Sequence, residues 1–425
     1  MLNRRQLLGR LPAVAGLPLL SGLFGLPTQA LGAAASKRKF LFVFAGGGWD
    51  PTWVFAPMFD SPYVDSDPSA TTAELGGLRF VDAASRPSVR SFFERYASSC
   101  CILNGMEVRS VTHDRCRRIL MTGQVADGLD DWPAILAGSS SGYQLPHLVV
   151  SGPSYTNRYT TSVMRVGENG QLSRLSSGSA VRDLGLPLPT EQSAAQIEEF
   201  VRARSAQAVA VSATGRNARF QQDLQTSIAQ AGLLSSLSNL EMQVDNTGVI
   251  PFSVRSELAL HVLAENYSRC VMIEHDGNSI FGWDLHSNID QMSRSFDALF
   301  QDLGVLMAAM ERMPGASTPT LAEEVVVVLC SEMGRTPRRN SSNGKDHWTF
   351  TSAMLLGPGV AGGQVIGGFD EGLYGLPIDA LTGTVSEKGS FLTAAHLGAT
   401  LLQVAELDPA AWTGAEPIVA AIQGA

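Results

Sequence analysis

The chain has 425 residues, 44% of them hydrophobic and 17% charged, with 42 glycines and 21 prolines. This is too apolar for disorder and too aperiodic for a fibre or solenoid, and at roughly 150 residues per domain it allows two or three domains or one large α/β fold. A formal charge of −9 excludes general nucleic-acid binding, which needs a basic surface, and leaves room only for local cationic pockets.

Residues 1–35 read as an address. Arg4, Arg5 and Arg10, with no acid among them, precede an apolar stretch from Leu11 to about Leu26 and the small residues Gly32 to Ala35. That order is a secretory signal, and adjacent arginines followed by Leu7 and Leu8 resemble a twin-arginine signal. The alternative, a membrane anchor, is opposed by a short stretch broken at Pro12, Pro18 and Pro27. Cleavage between Ala30 and Ala35 takes the formal charge from −9 to −12. The sequence therefore predicts a periplasmic or extracellular protein, carried by the twin-arginine translocase and without a stable membrane span.

Lys39–Phe44 is an apolar, aromatic-rich run ending in Ala45-Gly46-Gly47-Gly48, a buried strand entering a tight loop, with Asp50 just beyond. Helix at Val89–Phe93, strand at Cys100–Gly105, helix at about Asp114–Met121 and strand at Pro146–Ser151 come next. Residues 187–265 turn rich in Ala, Gln and Ser, and Phe220, Leu224 and Ile228 make one narrow helical stripe, so this segment reads as a helical insertion or cap. Alternation resumes with a strand at Cys270–Ile273 and a helix whose one face carries Phe296, Leu299, Phe300, Leu303, Met307 and Met310. Val325–Cys330 is continuously apolar, as a central parallel strand buried on both faces should be. A strand at Ala353–Gly357 and a helix from about Leu392 to Ala405 complete the pattern. The fold class is α/β, a mostly parallel central sheet flanked by helices, in one domain over 36–425. Of the five cysteines, Cys270 and Cys330 belong to apolar strands, and a bridge from Cys100 or Cys101 to Cys116 is allowed.

In open parallel sheets, ligands gather beyond the carboxyl ends of strands. The residues there are Gly46-Gly47-Gly48-Trp49-Asp50, Gly282-Trp283-Asp284-Leu285-His286-Ser287 and Ser331-Glu332-Met333-Gly334-Arg335, with Gly344-Lys345-Asp346-His347-Trp348 a little further on. Carboxylates mixed with imidazoles suit zinc, manganese or iron, whereas an all-oxygen set would suit magnesium or calcium. Asp284 and His286 in extended backbone share one side and can grip one ion. The glycine run also has a plain reading as a turn through positive φ, and neither the phosphate-loop lysine motif nor GxGxxG occurs.

Taken together, the leader, FLFVFAGGGWDP (Phe40–Pro51), GWDLHSN (Gly282–Asn288), SEMGRTPRRN (Ser331–Asn340) and GKDHW (Gly344–Trp348) resemble the exported DUF1501 family over nearly the whole mature chain. That family looks like a distant branch of the alkaline phosphatase and sulfatase superfamily, so the resemblance implies an alkaline phosphatase/sulfatase-like fold and one or two divalent metals, zinc or manganese, at the strand ends. It implies Asp50 as the first-strand ligand and Asp284 with His286 as a second acid and imidazole. Glu332 then replaces a strand-end aspartate, Met333 a histidine, and His347 is the later ligand; in the alternative register Asp346-His347 is the Asp-His pair and His396 the last ligand. Val111–Gly123 resembles the sulfatase signature ending in Leu-Thr-Gly, with His113 where the nucleophile would sit, Thr112 one residue away and Cys116 displaced by three. Thr112 is either a metal-activated nucleophile or the cap of the following helix, with His113 supporting the site. Among Arg115, Arg117, Arg118, Arg335, Arg338, Arg339 and Lys345, Arg335 is the leading candidate for holding an anionic ester. The implied function is a metal-dependent hydrolase of phosphate or sulfate esters; the alternatives are a non-catalytic metal-binding scaffold or surface-assembly protein and, resting on the leader alone, an exported redox enzyme.

Overall fold

The computed structural model describes residues 38–166, 185, 187, 189–211, 216–237, 250–278 and 282–424. The chain divides into Met1–Ala35 and Ser36–Ala425; the leader lies outside the described residues, and all the described elements belong to the second unit. Among the described residues no helix is long and apolar enough to cross a membrane.

In chain order come β1 (Lys39–Phe44), a hairpin of β2 (Thr71–Leu75) and β3 (Leu78–Asp82), α1 (Pro87–Tyr96), β4 (Cys100–Glu107), α2 (His113–Thr122) and α3 (Trp132–Gly138). The middle of the chain forms β5 (His147–Val149), β6 (Val163–Arg165), α4 (Glu191–Val211), α5 (Arg216–Leu237), α6 (Phe252–Ala264), β7 (Cys270–Glu274) and α7 (Met292–Arg312). The last part holds β8 (Val325–Cys330), β9 (Gly334–Arg335), β10 (His347–Trp348), β11 (Phe350–Leu356), β12 (Gln364–Gly367), β13 (Pro377–Ile378), β14 (Ser390–Phe391) and α8 (Ala394–Val404).

Eight strands form one sheet in the order β12-β4-β11-β8-β1-β7-β5-β6. All neighbours run parallel except β11, which is antiparallel to both β4 and β8. β1 and β8 are buried along their whole length, which explains their unbroken apolar sequence: alternate residues feed opposite cores. Leu41, Val43, Val327 and Leu329 pack with α1, α6 and α7 on one face. Phe40, Phe42, Val326 and Val328 pack with α2, α3 and α8 on the other. The result is a helix–sheet–helix sandwich.

Two expectations change, and one strand direction that the sequence left open is settled. α6 lies within the stretch read as an insertion, yet Leu258, Ala259, Val262 and Leu263 are buried in the first core, so only α4 and α5 fit the description of a helical pair outside the sheet. The central strand at Ala353–Leu356 is antiparallel. All five cysteines are free and buried, so the bridge from Cys100 or Cys101 to Cys116 is not formed; Cys116 packs instead with Val108 and Met333.

Candidate metal centre

Four connections meet at the carboxyl edge of the sheet: the glycine loop after β1, the segment from β4 into α2, the loop after β7 and the residues after β8. The reversed strand β11 starts at this same edge. The two-residue pairing of β9 with β10, His347 opposite Arg335, therefore brings His347 beside residues that follow parallel strands. Trp49 and Trp283 pin two of the connections: both are fully buried, Trp49 Nε1 donates to Thr351 Oγ1 at 3.1 Å and Trp283 Nε1 to the His275 carbonyl at 2.7 Å. Gly47, at φ 135°, lets the glycine loop pass so close that a Cβ there would stand 2.9 Å from the Asp284 nitrogen.

At the centre, ligand atoms of His113, Asp284 and His347 all lie within 4.8 Å of one another. Asp284 Oδ1 is 3.1 Å from His347 Nε2 and 3.2 Å from His286 Nε2, and Oδ2 is 3.3 Å from His113 Nε2. His286 Nε2 and His347 Nε2 are 2.9 Å apart. The far nitrogens each have an oxygen partner. His347 Nδ1 is 2.7 Å from the Val111 carbonyl, His286 Nδ1 is 2.8 Å from Asp346 Oδ1, and His113 Nδ1 is 2.8 Å from Glu332 Oε1. A carbonyl or carboxylate oxygen only accepts, so each Nδ1 is a donor; each Nε2, which faces Asp284, is then either the second N–H of an imidazolium or the lone pair that a cation would take.

Electrostatics keeps those acceptors ionised. The His286 imidazole beside it lowers the Asp346 carboxyl. Burial works against the charge of Glu332, but His113 and the Gly47 N–H hold it down. For Asp284 burial is likewise outweighed, by Arg335 and His347, leaving its carboxyl at about 2. The Glu332 hydrogen bond raises His113. Bare lone pairs and an ionised carboxylate at these separations repel unless a proton or a metal cation lies among them. A tetrahedral ion with bonds of about 2.0–2.2 Å holds its ligands roughly 3.3–3.5 Å apart, near the observed spacing, and each imidazole has the carbonyl or carboxylate behind it that metal-bound histidines use. The donor set fits zinc or manganese.

Not every expected residue stands in this cluster. Asp50 is fully buried, with Oδ2 2.7 Å from Lys345 Nζ and Oδ1 accepting from Thr52 N and Oγ1 at 3.0 and 2.7 Å; its charge is spent tying two loops together. Glu332 is also fully buried and stands behind His113, accepting from Gly47 N through both oxygens at 2.9 and 3.0 Å. Arg335, the expected anion holder, is fully buried and donates to the carbonyls of Gly47, Gly48, Lys345 and Trp283 and to Asp284 Oδ1 at 2.6 Å. Its donors are occupied by the scaffold, which makes it a positioning residue. Met333 lies in the small apolar cluster with Cys116, and His396 forms a reciprocal capping box with Thr393 at the start of α8. Thr112 is exposed at the N-terminus of α2, caps no helix N–H and has Ser110 Oγ 3.3 Å from its hydroxyl. Sequence reasoning missed Val111, whose part is a backbone carbonyl that no residue type advertises.

The family described as a protein of unknown function, DUF1501, matches residues 37–388. No curated protein matches the sequence. Among solved structures, a putative sulfatase from Bacteroides thetaiotaomicron shares 11% identity at a TM-score of 0.40, over 92% of this chain and 76% of that one. The lipoteichoic acid synthase LtaP from Listeria monocytogenes shares 7% at 0.41, over 91% and 75%. A phosphonate monoester hydrolase from Agrobacterium radiobacter shares 11% at 0.36, over 87% and 74%.

Proposed function

The chain belongs to the DUF1501 family, whose description assigns no activity, and from the side-chain geometry we propose that it is a metal-dependent hydrolase of phosphate or sulfate esters. One observation carries the reading: three imidazoles, each with Nδ1 against an oxygen acceptor, turn their Nε2 atoms toward one carboxylate, Asp284. In the proposal Asp284, His286 and His347 hold one divalent ion, zinc or manganese. Such an ion, when bound, polarises an ester oxygen and lowers the pKa of a coordinated water. Arg335 keeps Asp284 ionised and aimed, and Glu332 keeps the His113 proton on Nδ1, leaving Nε2 to hold or release a proton at the site. Thr112 offers an exposed hydroxyl one residue from His113. The leader, residues 1–35, directs export through the twin-arginine translocase to the periplasm or beyond.

The experiment is elemental analysis of protein folded in its own host, followed by turnover of an aryl phosphate and an aryl sulfate. We expect about one bound metal per chain, and Asp284→Asn to lose both metal and turnover. Metal-replete protein inert on both esters across pH would overturn the hydrolase. One observation favours the second reading, a metal-binding scaffold without catalysis: the partner found for the Thr112 hydroxyl is Ser110 rather than a base. Bound metal that raises the melting temperature without turnover is its expected outcome.

A further inference from the structure

We propose that Arg117 receives the non-bridging oxygens of a phosphoryl or sulfuryl group, in a subsite it shares with His113 Nε2; this rests on the hydrolase reading above. Most other cations near the site already have partners. Arg335 is spent on carbonyls and Asp284. Lys345 pairs with Asp50, Arg338 with Asp65, Arg339 with Asp290 and Arg118 with Asp127. Arg117 stands four residues after His113 on α2, which puts both on one helix face.

Its guanidinium forms no hydrogen bond among the described residues, and Nε is buried without a partner. The nearest acid is Glu332, 3.5 Å from Nε, but the oxygens of Glu332 already accept from Gly47 and face His113. Arg117 also acts on Glu274, at the end of β7. Burial pushes its carboxyl up, and Arg117 and Arg255 only partly offset that. The Arg117 side chain is 33% exposed, so an incoming ligand can reach it. A planar guanidinium with free donors, held beside an imidazole and in the first two turns of a helix, suits two oxygens of a tetrahedral anion.

The test uses metal-loaded full-length protein with inorganic phosphate and inorganic sulfate as probes, read by calorimetry, alongside aryl ester turnover. Arg117→Ala is expected to weaken binding of the anion at least tenfold, and Arg117→Lys to weaken it less, with metal content and melting temperature unchanged. Should Arg117→Ala fail to fold, Arg117→Gln, which keeps the side-chain stem through Cδ and removes the charge, gives the same reading. Equal binding by wild type and variant overturns the subsite, as does a wild type that binds neither anion. Anion binding that needs Arg117 without ester turnover leaves the subsite standing and removes the hydrolase. Turnover that Arg117→Ala leaves intact does the reverse.

Discussion

His286 and His347 each have an acceptor behind them: the Asp346 carboxylate, itself bonded by Asn340 Nδ2 at 3.2 Å, and the Val111 carbonyl. Such supports set ring orientation and ligand basicity. Asp346→Ala should therefore lower metal affinity by about 10–100-fold while leaving the fold intact, measurable by titration against a coloured chelator; unchanged affinity would remove Asp346 from the site. At this scale the sequence was a good guide to residue type and a poor one to atoms. Asp284, His286 and His347, which the structure brings together, were legible as a group because acids and imidazoles follow apolar runs. Asp50, Glu332 and Arg335 had the same signature, and only their partners, Lys345, Gly47 and the loop carbonyls, show their charge already committed. Lys345 is 295 residues from Asp50, Gly47 is 285 from Glu332 and Gly48 is 287 from Arg335, beyond any local pattern.

Among the elements, β11 does most to shape the site, because its reversed direction returns β10 to the ligand edge. Its direction was hidden in the sequence: a strand between two others is apolar whichever way it runs, and the 14 residues from Met333 to Asp346 suit a hairpin as well as a crossover. The place of α6 in the core, rather than its helical character, was hidden for a related reason. Buried nearly all round, the helix lacks the one-sided stripe that marks a core-facing side. The loops are more demanding than the helices. A Cβ at Gly344 would lie 2.1 Å from the His286 carbonyl, and one at Gly47 would strike Trp283 and Asp284 from a left-handed backbone. Gly47→Ala should cost about 1–3 kcal/mol of stability and more in metal affinity than in melting temperature, since it displaces Asp284, the proposed ligand. Thermal melts with and without zinc separate the two effects.

Across the whole molecule, Lys39 and Glu324 form a nearly solvent-free pair at 2.8 Å that joins the start of β1 to the start of β8, and Lys39 also donates to the Leu263 carbonyl at 2.6 Å. Burial opposes the charge of Glu324, but Lys39 and Ser317 outweigh it and hold its carboxyl at about 2, against an ordinary 4.5. A lowered value means that the contribution is complete above about pH 4.5 and is lost as pH falls toward 2. Urea midpoints should fall through that window for wild type and slope less for Glu324→Gln, which should also lose about 3–5 kcal/mol at neutral pH by stranding Lys39.

The cluster draws on chain segments far apart: His113 is 171 residues from Asp284 and 219 from Glu332, and His347 is 63 from Asp284. No short fragment can present it. Closing loops of that length is slow, and contacts of such separation form only once the sheet has assembled. An ion captured there acts after the rate-limiting step, so it should leave refolding unchanged in rate while slowing unfolding. At 100 times its Kd it would add about 2.7 kcal/mol. Stopped-flow measurements with and without chelator would show this as a change confined to the unfolding limb, and a metal that accelerated refolding would mean that the ligands meet earlier than their separation implies.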